Sequence, residues 1–314
     1  MKLDSKNRAL EMFFAISIST ILVLMEVFYL PGISILYPVL FTVLGVRYGI
    51  NYSLIGLIIS NIVVGLIIDK VYGILVFLIF TPFCISLIYT IRKRQKSFNV
   101  LMVSSLVFLI TSILLIAIIG EMAGTSVINQ IENYFVQMLN SYVEVLKDTG
   151  ISNYEILEIK DFLQDRLNYA LSTLPSMVMI ASLIIAYINY RLSALILRRL
   201  GHGIVSVPRF SRFKLPNNIL LGIGIMLLGT YLLRNLGIFS YETVLLNIAV
   251  LASFMFFTQG LSVIDFQLLK RGLRKLTRVI IIVLFVVILP IGWIISLIGL
   301  LDVIIDFRKL KRST

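Results

Sequence analysis

Apolar residues occupy this chain in runs close to the length of a bilayer crossing, with short basic segments between them. Five runs cover residues 10–29, 33–47, 52–68, 71–91 and 99–120. Four more cover 175–197, 217–236, 242–264 and 279–307. About 20 apolar residues in a helix cross a hydrocarbon core, so most of these runs predict transmembrane helices. The second run is short and contains Pro38. The last would be about 40 Å long as a straight helix, more than the roughly 30 Å core requires. Pro290 and Gly292 interrupt it, and proline removes a backbone donor while clashing with the preceding turn. A bent or re-entrant segment is therefore predicted there. The fold class that follows is all-α, a polytopic helical membrane protein with about 8–10 membrane segments.

Residues 121–173 break the pattern, with eight acidic residues against three basic ones. Within them Ile128, Ile131, Phe135, Met138, Tyr142 and Val145 recur at helical spacing and predict one amphipathic helix. Gly150 offers a stop, and Ser152 with Glu155 forms the pattern of a capping box. A second helix is predicted from there, with the stripe Ile156, Ile159, Leu163 and Leu167, ending before Pro175. The chain thus divides into an amino-terminal membrane half (1–120), an acidic helical hairpin (121–173) and a carboxyl-terminal membrane half (174–314).

Composition agrees with the pattern. The chain is 59% hydrophobic and 14% charged, with a mean hydropathy of +1.01, whereas soluble domains are about a quarter charged. The net charge of +12 does not point to nucleic acid, because Lys and Arg sit in short loops beside apolar runs. Those loops orient the chain. Placing 92–96, 198–214 and 270–278 in the cytoplasm puts the amino terminus inside and residues 121–173 outside. Arg308, Lys309, Lys311 and Arg312 favour a cytoplasmic carboxyl terminus. The first run lacks a small-residue cleavage site and reads as a retained helix. The expected location is the bacterial cell membrane.

Cys84 and His202 are the single cysteine and histidine. Disulfide frameworks, Cys- or His-rich metal sites and a His-based triad within one chain have little to draw on. No catalytic set, metal site or cofactor is expected.

Ionisable groups in spanning segments are costly and are candidates for function. Glu26, Asp69, Glu121 and Arg234 all fall at the proposed outer ends of helices. With Tyr29, Tyr37, Tyr72 and the mid-helix amide Asn61, they form the candidate ligand-binding set. The plainer alternative places each charge at the headgroup level. Asn61, Asn189, Asn247 and Gln259 also suit interhelical hydrogen bonds. Asp302 and Asp306 lie one helical turn apart, a DxxxD pair similar to the metal site of CDP-alcohol phosphotransferases. The preceding DGxxAR element of that family is absent, so pairing with Arg308 or Lys309 is the expected role.

Pro31, Pro38, Arg47-Tyr48-Gly49 and Asn51 are followed by a short glycine-containing helix. Further on come Phe256-Phe257-Thr258-Gln259-Gly260-Leu261, Gly299-Leu300-Leu301-Asp302 and Asp306-Phe307-Arg308. In these motifs the chain resembles YybS-type proteins, uncharacterised multi-span membrane proteins of Gram-positive bacteria. Its first half is similar, more distantly, to the S components of energy-coupling-factor vitamin transporters. That resemblance implies capture of a small solute from outside and docking on a membrane protein partner through small residues of the first helix. Ala15 and Ser19 would form the docking surface, with serine in place of the alanine usual in S components.

The expected function is binding, or assistance in transport, of a small solute from the outer side, with the lipid bilayer as the constant partner. The alternative is a non-catalytic envelope scaffold that binds a partner through the acidic hairpin. A third reading, an enzyme of lipid-linked substrates, rests on Asp302 and Asp306 alone.

Overall fold

A computed structural model of the chain describes residues 2–148, 151–203, 209–216, 218–234, 240–287 and 292–309. The helix stop expected at Gly150, the break at Pro290 and the basic positions Lys311 and Arg312 lie outside the described residues. Among the described residues there are eleven α-helices and no strand. They are α1 (Lys2–Phe28), α2 (Tyr37–Tyr48), α3 (Ile50–Ile67), α4 (Lys70–Arg92), α5 (Ser97–Ala123), α6 (Val127–Asp148), α7 (Asn153–Arg199), α8 (Ile219–Leu233), α9 (Tyr241–Lys270), α10 (Lys275–Val287) and α11 (Gly292–Ile305).

Six of these are long and apolar enough to cross a bilayer: α1 from Asn7, α3, α4, α5, α7 and α9. A seventh span arises if α10 and α11 count together; their axes differ in direction by 114°. Two shorter apolar stretches, Ile33–Tyr48 and Ile219–Leu232, complete the set. Large apolar side chains such as Phe13, Ile62, Leu106 and Leu228 stand exposed on these helices. In water that surface would be prohibitive, whereas in a bilayer it is the lipid contact. The chain is an all-α, multi-pass membrane protein.

The helices form two compact units. The first comprises 1–164 and 181–207, the second 165–180 and 208–314. In the first, α2, α3 and α4 pack on one another and α1 lies against α2 and α3. The core is aromatic at its centre. The Tyr37 ring sits 5.2 Å from Phe41 and 5.4 Å from Phe80, and Phe83 sits 5.2 Å from Phe108. The carboxyl-terminal part of α7 belongs to this unit, where Asn189 Nδ2 donates to the carbonyl of Ile35 (2.8 Å) and Ser193 to that of Val39 (3.3 Å). In the second unit α9 is the axis, with α8, α10 and α11 packed against it.

Two local predictions need correction. Pro175 does not end a helix but lies inside α7, which runs unbroken for 47 residues. Backbone groups on either side of it bond to Asn247 of α9, as described below. On α6 the predicted stripe is largely exposed, with Met138 at 62% and Val145 at 61%. The buried line is Leu139 and Leu146, with Phe135 half-buried. Helix α6 has apolar residues on more than one line, and periodicity alone does not choose between neighbouring lines. The second stripe is placed as expected at its ends, with Ile156 and Leu167 buried. The capping box of Ser152 and Glu155 starts α7.

Candidate functional site

Two polar clusters are buried among apolar helices, one in each unit. The cluster of the first unit begins at Asn61, 6% exposed in the middle of α3. Its Nδ2 donates to the Tyr37 hydroxyl (2.8 Å) and to the carbonyl of Leu57 (2.7 Å). The carbonyl can only accept, so it fixes which end of the amide is Nδ2. Oδ1 is then left buried with no partner in the structure, and such an acceptor costs about 1–3 kcal/mol unless something donates to it. The neighbouring Ser60 hydroxyl pairs with Thr20 of α1 at 2.9 Å, and Ser19 donates to the carbonyl of Tyr37 at 3.3 Å.

Asn61 also lines a cleft of about 450 Å³ between α3 and α4, together with Ile62, Gly65, Lys70, Gly73 and Phe77. Glycine creates the close approach at this crossing. A Cβ on Gly73 would sit 2.7 Å from the carbonyl oxygen of Asn61 and 2.9 Å from the Cα of Gly65. The volume falls in the range of about 300–1,000 Å³ typical of small-molecule sites.

The other predicted residues of this half gather at the end of the unit where α1 and α3 finish and α4 begins. Asp69 caps α4, its Oδ1 accepting from Val71 N (2.8 Å) and Tyr72 N (3.4 Å). The Glu26 carboxylate acts electrostatically on Tyr72, and one of its oxygens is buried without a hydrogen bond. Tyr29 follows α1 and is 80% exposed. Glu121 is exposed in the last turn of α5. Arg234 belongs to the second unit, where its guanidinium lies 5.3 Å from the Tyr241 ring. Ala15 and Ser19 are 6% and 0% exposed. They pack inside the first unit, so they lack the exposure that a docking surface requires.

The cluster of the second unit joins motifs that are distant in the sequence. Gly260 of α9 faces Gly299 of α11, and a Cβ on Gly299 would lie 2.7 Å from the Gly260 nitrogen. That backbone contact sets Gln259 beside Asp302, with Nε2 donating to Oδ2 at 2.6 Å. Arg308 donates to the same oxygen through Nε (3.2 Å) and Nη2 (2.9 Å). Its remaining donors reach Ser262 Oγ (2.6 Å) and the carbonyls of Ser211 (3.0 Å) and Phe213 (2.8 Å). Every direction of the guanidinium fork is occupied, so Arg308 acts as a tie and offers nothing to a ligand. Asp306 pairs instead with Lys214 (2.7 Å). The two carboxylates therefore have different cationic partners. Among the described residues no three acidic, His or Cys side chains gather as a metal site.

Sequence reasoning did not single out Ser60, Lys70, Gly65 or Gly73. The glycines are eight apart on different helices, a spacing that carries no helical signal by itself.

A family model described as "Predicted membrane protein (DUF2232)" matches residues 17–303. The uncharacterized protein YybS of Bacillus subtilis (strain 168) is 23% identical over 217 residues, 69% of this chain and 70% of that protein. No solved structure matches the chain.

Proposed function

Because the chain belongs to the DUF2232 family of predicted membrane proteins, we propose that it binds a small solute, or helps to transport one, from the outer side of the membrane. The cleft between α3 and α4 carries this reading, because a buried acceptor without a partner, Asn61 Oδ1, belongs to a residue of its wall. An acceptor left unpaired inside a membrane bundle is costly, and a donor that reached it would be favoured. The positive-inside rule puts the mouth of the cleft, at Lys70, on the outside. Glu26, Asp69 and Tyr72 stand at the same end of the unit. A thermal-shift screen of the purified protein against vitamins and small metabolites tests the reading. A stabilising compound whose effect disappears in Asn61→Leu supports it. Flat melting curves throughout, with wild-type growth and uptake in the variant, would overturn it.

The exposed apolar side of α6 favours a second reading, an envelope scaffold. Met138, Tyr142 and Val145 stand exposed on a helix that also carries Glu132 and Glu144. Removing 125–172 and rejoining the helices would then abolish the phenotype at normal expression, and a mutant that behaves normally rules the scaffold out.

A further inference from the structure

We infer that the α3–α4 cleft selects an amphiphile with an anionic head and an apolar body; this rests on the solute-binding reading above. The wall supplies both halves of the match. Apart from Asn61 and Lys70 it is formed by glycine and by hydrocarbon and aromatic side chains, Ile58, Ile62, Ile74 and Phe77 among them. Lys70 is the first residue of α4 and stands at the mouth. Asn61 lies six positions before Ile67, where α3 ends, so it is about 9 Å deeper at roughly 1.5 Å per residue.

Charge decides between an anionic and a cationic head. Among the described residues Lys70 forms no ion pair, whereas Arg47, Lys214, Arg278 and Arg308 each do. The adjacent Asp69 is committed to the α4 amides, where its charge meets the positive end of the helix dipole. Glu26 acts on Tyr72, and neither of these two residues lines the cleft. The ammonium is therefore the ionic group on the cleft wall that is left to meet a ligand. A carboxylate or phosphate there would gain a charge-assisted hydrogen bond while its chain displaces water from apolar walls.

Such a head could come from a free carboxylate solute or from the phosphate of a membrane lipid. The experiment uses the full chain in phosphatidylcholine nanodiscs loaded with a fluorescent fatty acid. Dodecanoate, dodecanol and dodecylamine are titrated as competitors. The expected result is displacement by dodecanoate at an about tenfold lower concentration than by dodecylamine. Lys70→Met removes that gap and leaves dodecanol unchanged. Repeating the titration with phosphatidylglycerol in the disc separates the sources. A weaker apparent dodecanoate affinity in wild type but not in Lys70→Met identifies the lipid head as the natural occupant, and no change identifies a free anion. Equal displacement by dodecanoate and dodecylamine, or a Lys70→Met protein that keeps the gap, overturns the anionic head and leaves the cleft intact. The filling variant Gly65→Val tests the cleft itself, since a Cβ there makes ordinary contacts beginning at 3.6 Å. If no competitor displaces the probe and Gly65→Val binds it as wild type does, the solute-binding reading fails with it.

Discussion

Asn247 of α9 braces one turn of α7 from both sides: its Oδ1 accepts from the N–H of Ser176 at 2.8 Å, and its Nδ2 donates to the carbonyl of Ser172 at 2.7 Å. Those two backbone groups are the i and i−4 partners of one helical turn, and Pro175 lies within it. In lipid a proline inside a helix is tolerated where neighbouring protein helps to satisfy the backbone groups around it. Asn247→Leu is expected to destabilise the protein by about 1–3 kcal/mol. Asn247→Asp keeps the acceptor, loses the donor and cannot be better than wild type. Unfolding in a series of denaturing detergent mixtures measures both. Wild-type stability in Asn247→Leu would mean that water repairs the turn.

This contact also marks where sequence reasoning stops. The spans, the capping box of Ser152 and Glu155 and the interhelical role of the mid-helix amides were legible, because each depends on residues a few positions apart or on hydrophobicity alone. Pro175 read as a helix end because the residue that rescues it is 72 positions away, at Asn247. The pairing of Asp302 with Arg308 was legible, being nearly local, whereas the third member, Gln259, is 43 positions distant. The same holds for the candidate site. Asn61 stands out as an amide within an apolar run and Tyr37 as a neighbour in sequence of the outer charges, but the cleft depends on Gly65 meeting Gly73 across two helices, and no periodicity announces that contact.

The buried pair of Asp302 and Arg308 predicts an asymmetric response to mutation. Side chains of both are fully buried, and removing one partner leaves an uncompensated charge at a cost of about 3–5 kcal/mol. Arg308→Met should therefore accumulate poorly and unfold early. The double variant Asp302→Leu with Arg308→Met should recover much of the loss, because the charge left behind is gone. Quantitative immunoblotting and detergent unfolding would show the order. A double variant no better than Arg308→Met would place the value of the cluster in the loop carbonyls that Arg308 holds.

At the α9–α11 crossing, size matters more than chemistry. Gly299→Ala adds only a methyl group, but that methyl would overlap the carbonyl of Phe256. Overpacking of this kind costs typically about 1–3 kcal/mol. Gly229→Ala is the control, since a Cβ there meets nothing within 4 Å. It should leave stability unchanged or slightly raised, because alanine is the better helix former. Equal losses in the two variants would mean that helix propensity, and not close packing, explains Gly299.

The orientation gives a prediction that is independent of any ligand. Ser141 is exposed on α6, and Gln95 lies in the turn after α4 with Arg92, Lys93, Arg94 and Lys96 around it. In a chain carrying Cys84→Ser, a cysteine at position 141 should react with an impermeant maleimide in intact cells. A cysteine at position 95 should react only once the membrane is opened. The reverse pattern would invert the chain and move the mouth of the α3–α4 cleft to the cytoplasm.

The carboxyl-terminal stretch is predicted to return to the side from which it came. Helices α10 and α11 have 13 and 14 residues, about 20 Å each at roughly 1.5 Å per residue, so neither crosses a 30 Å core alone. Their axes differ by 114°, which a single straight crossing does not allow. Polar groups are also unevenly placed. Arg308, paired with Asp302, donates to the carbonyls of Ser211 and Phe213, in the loop of Arg209, Arg212 and Lys214 that the positive-inside rule puts in the cytoplasm. A chain end held to that loop belongs on the same side. Alkaline phosphatase fused after Thr314 should be inactive and a fluorescent protein fused there should fold and emit. Strong phosphatase activity with a dark fluorescent fusion would require an external tail, and with it an outer position for the whole Arg308 cluster.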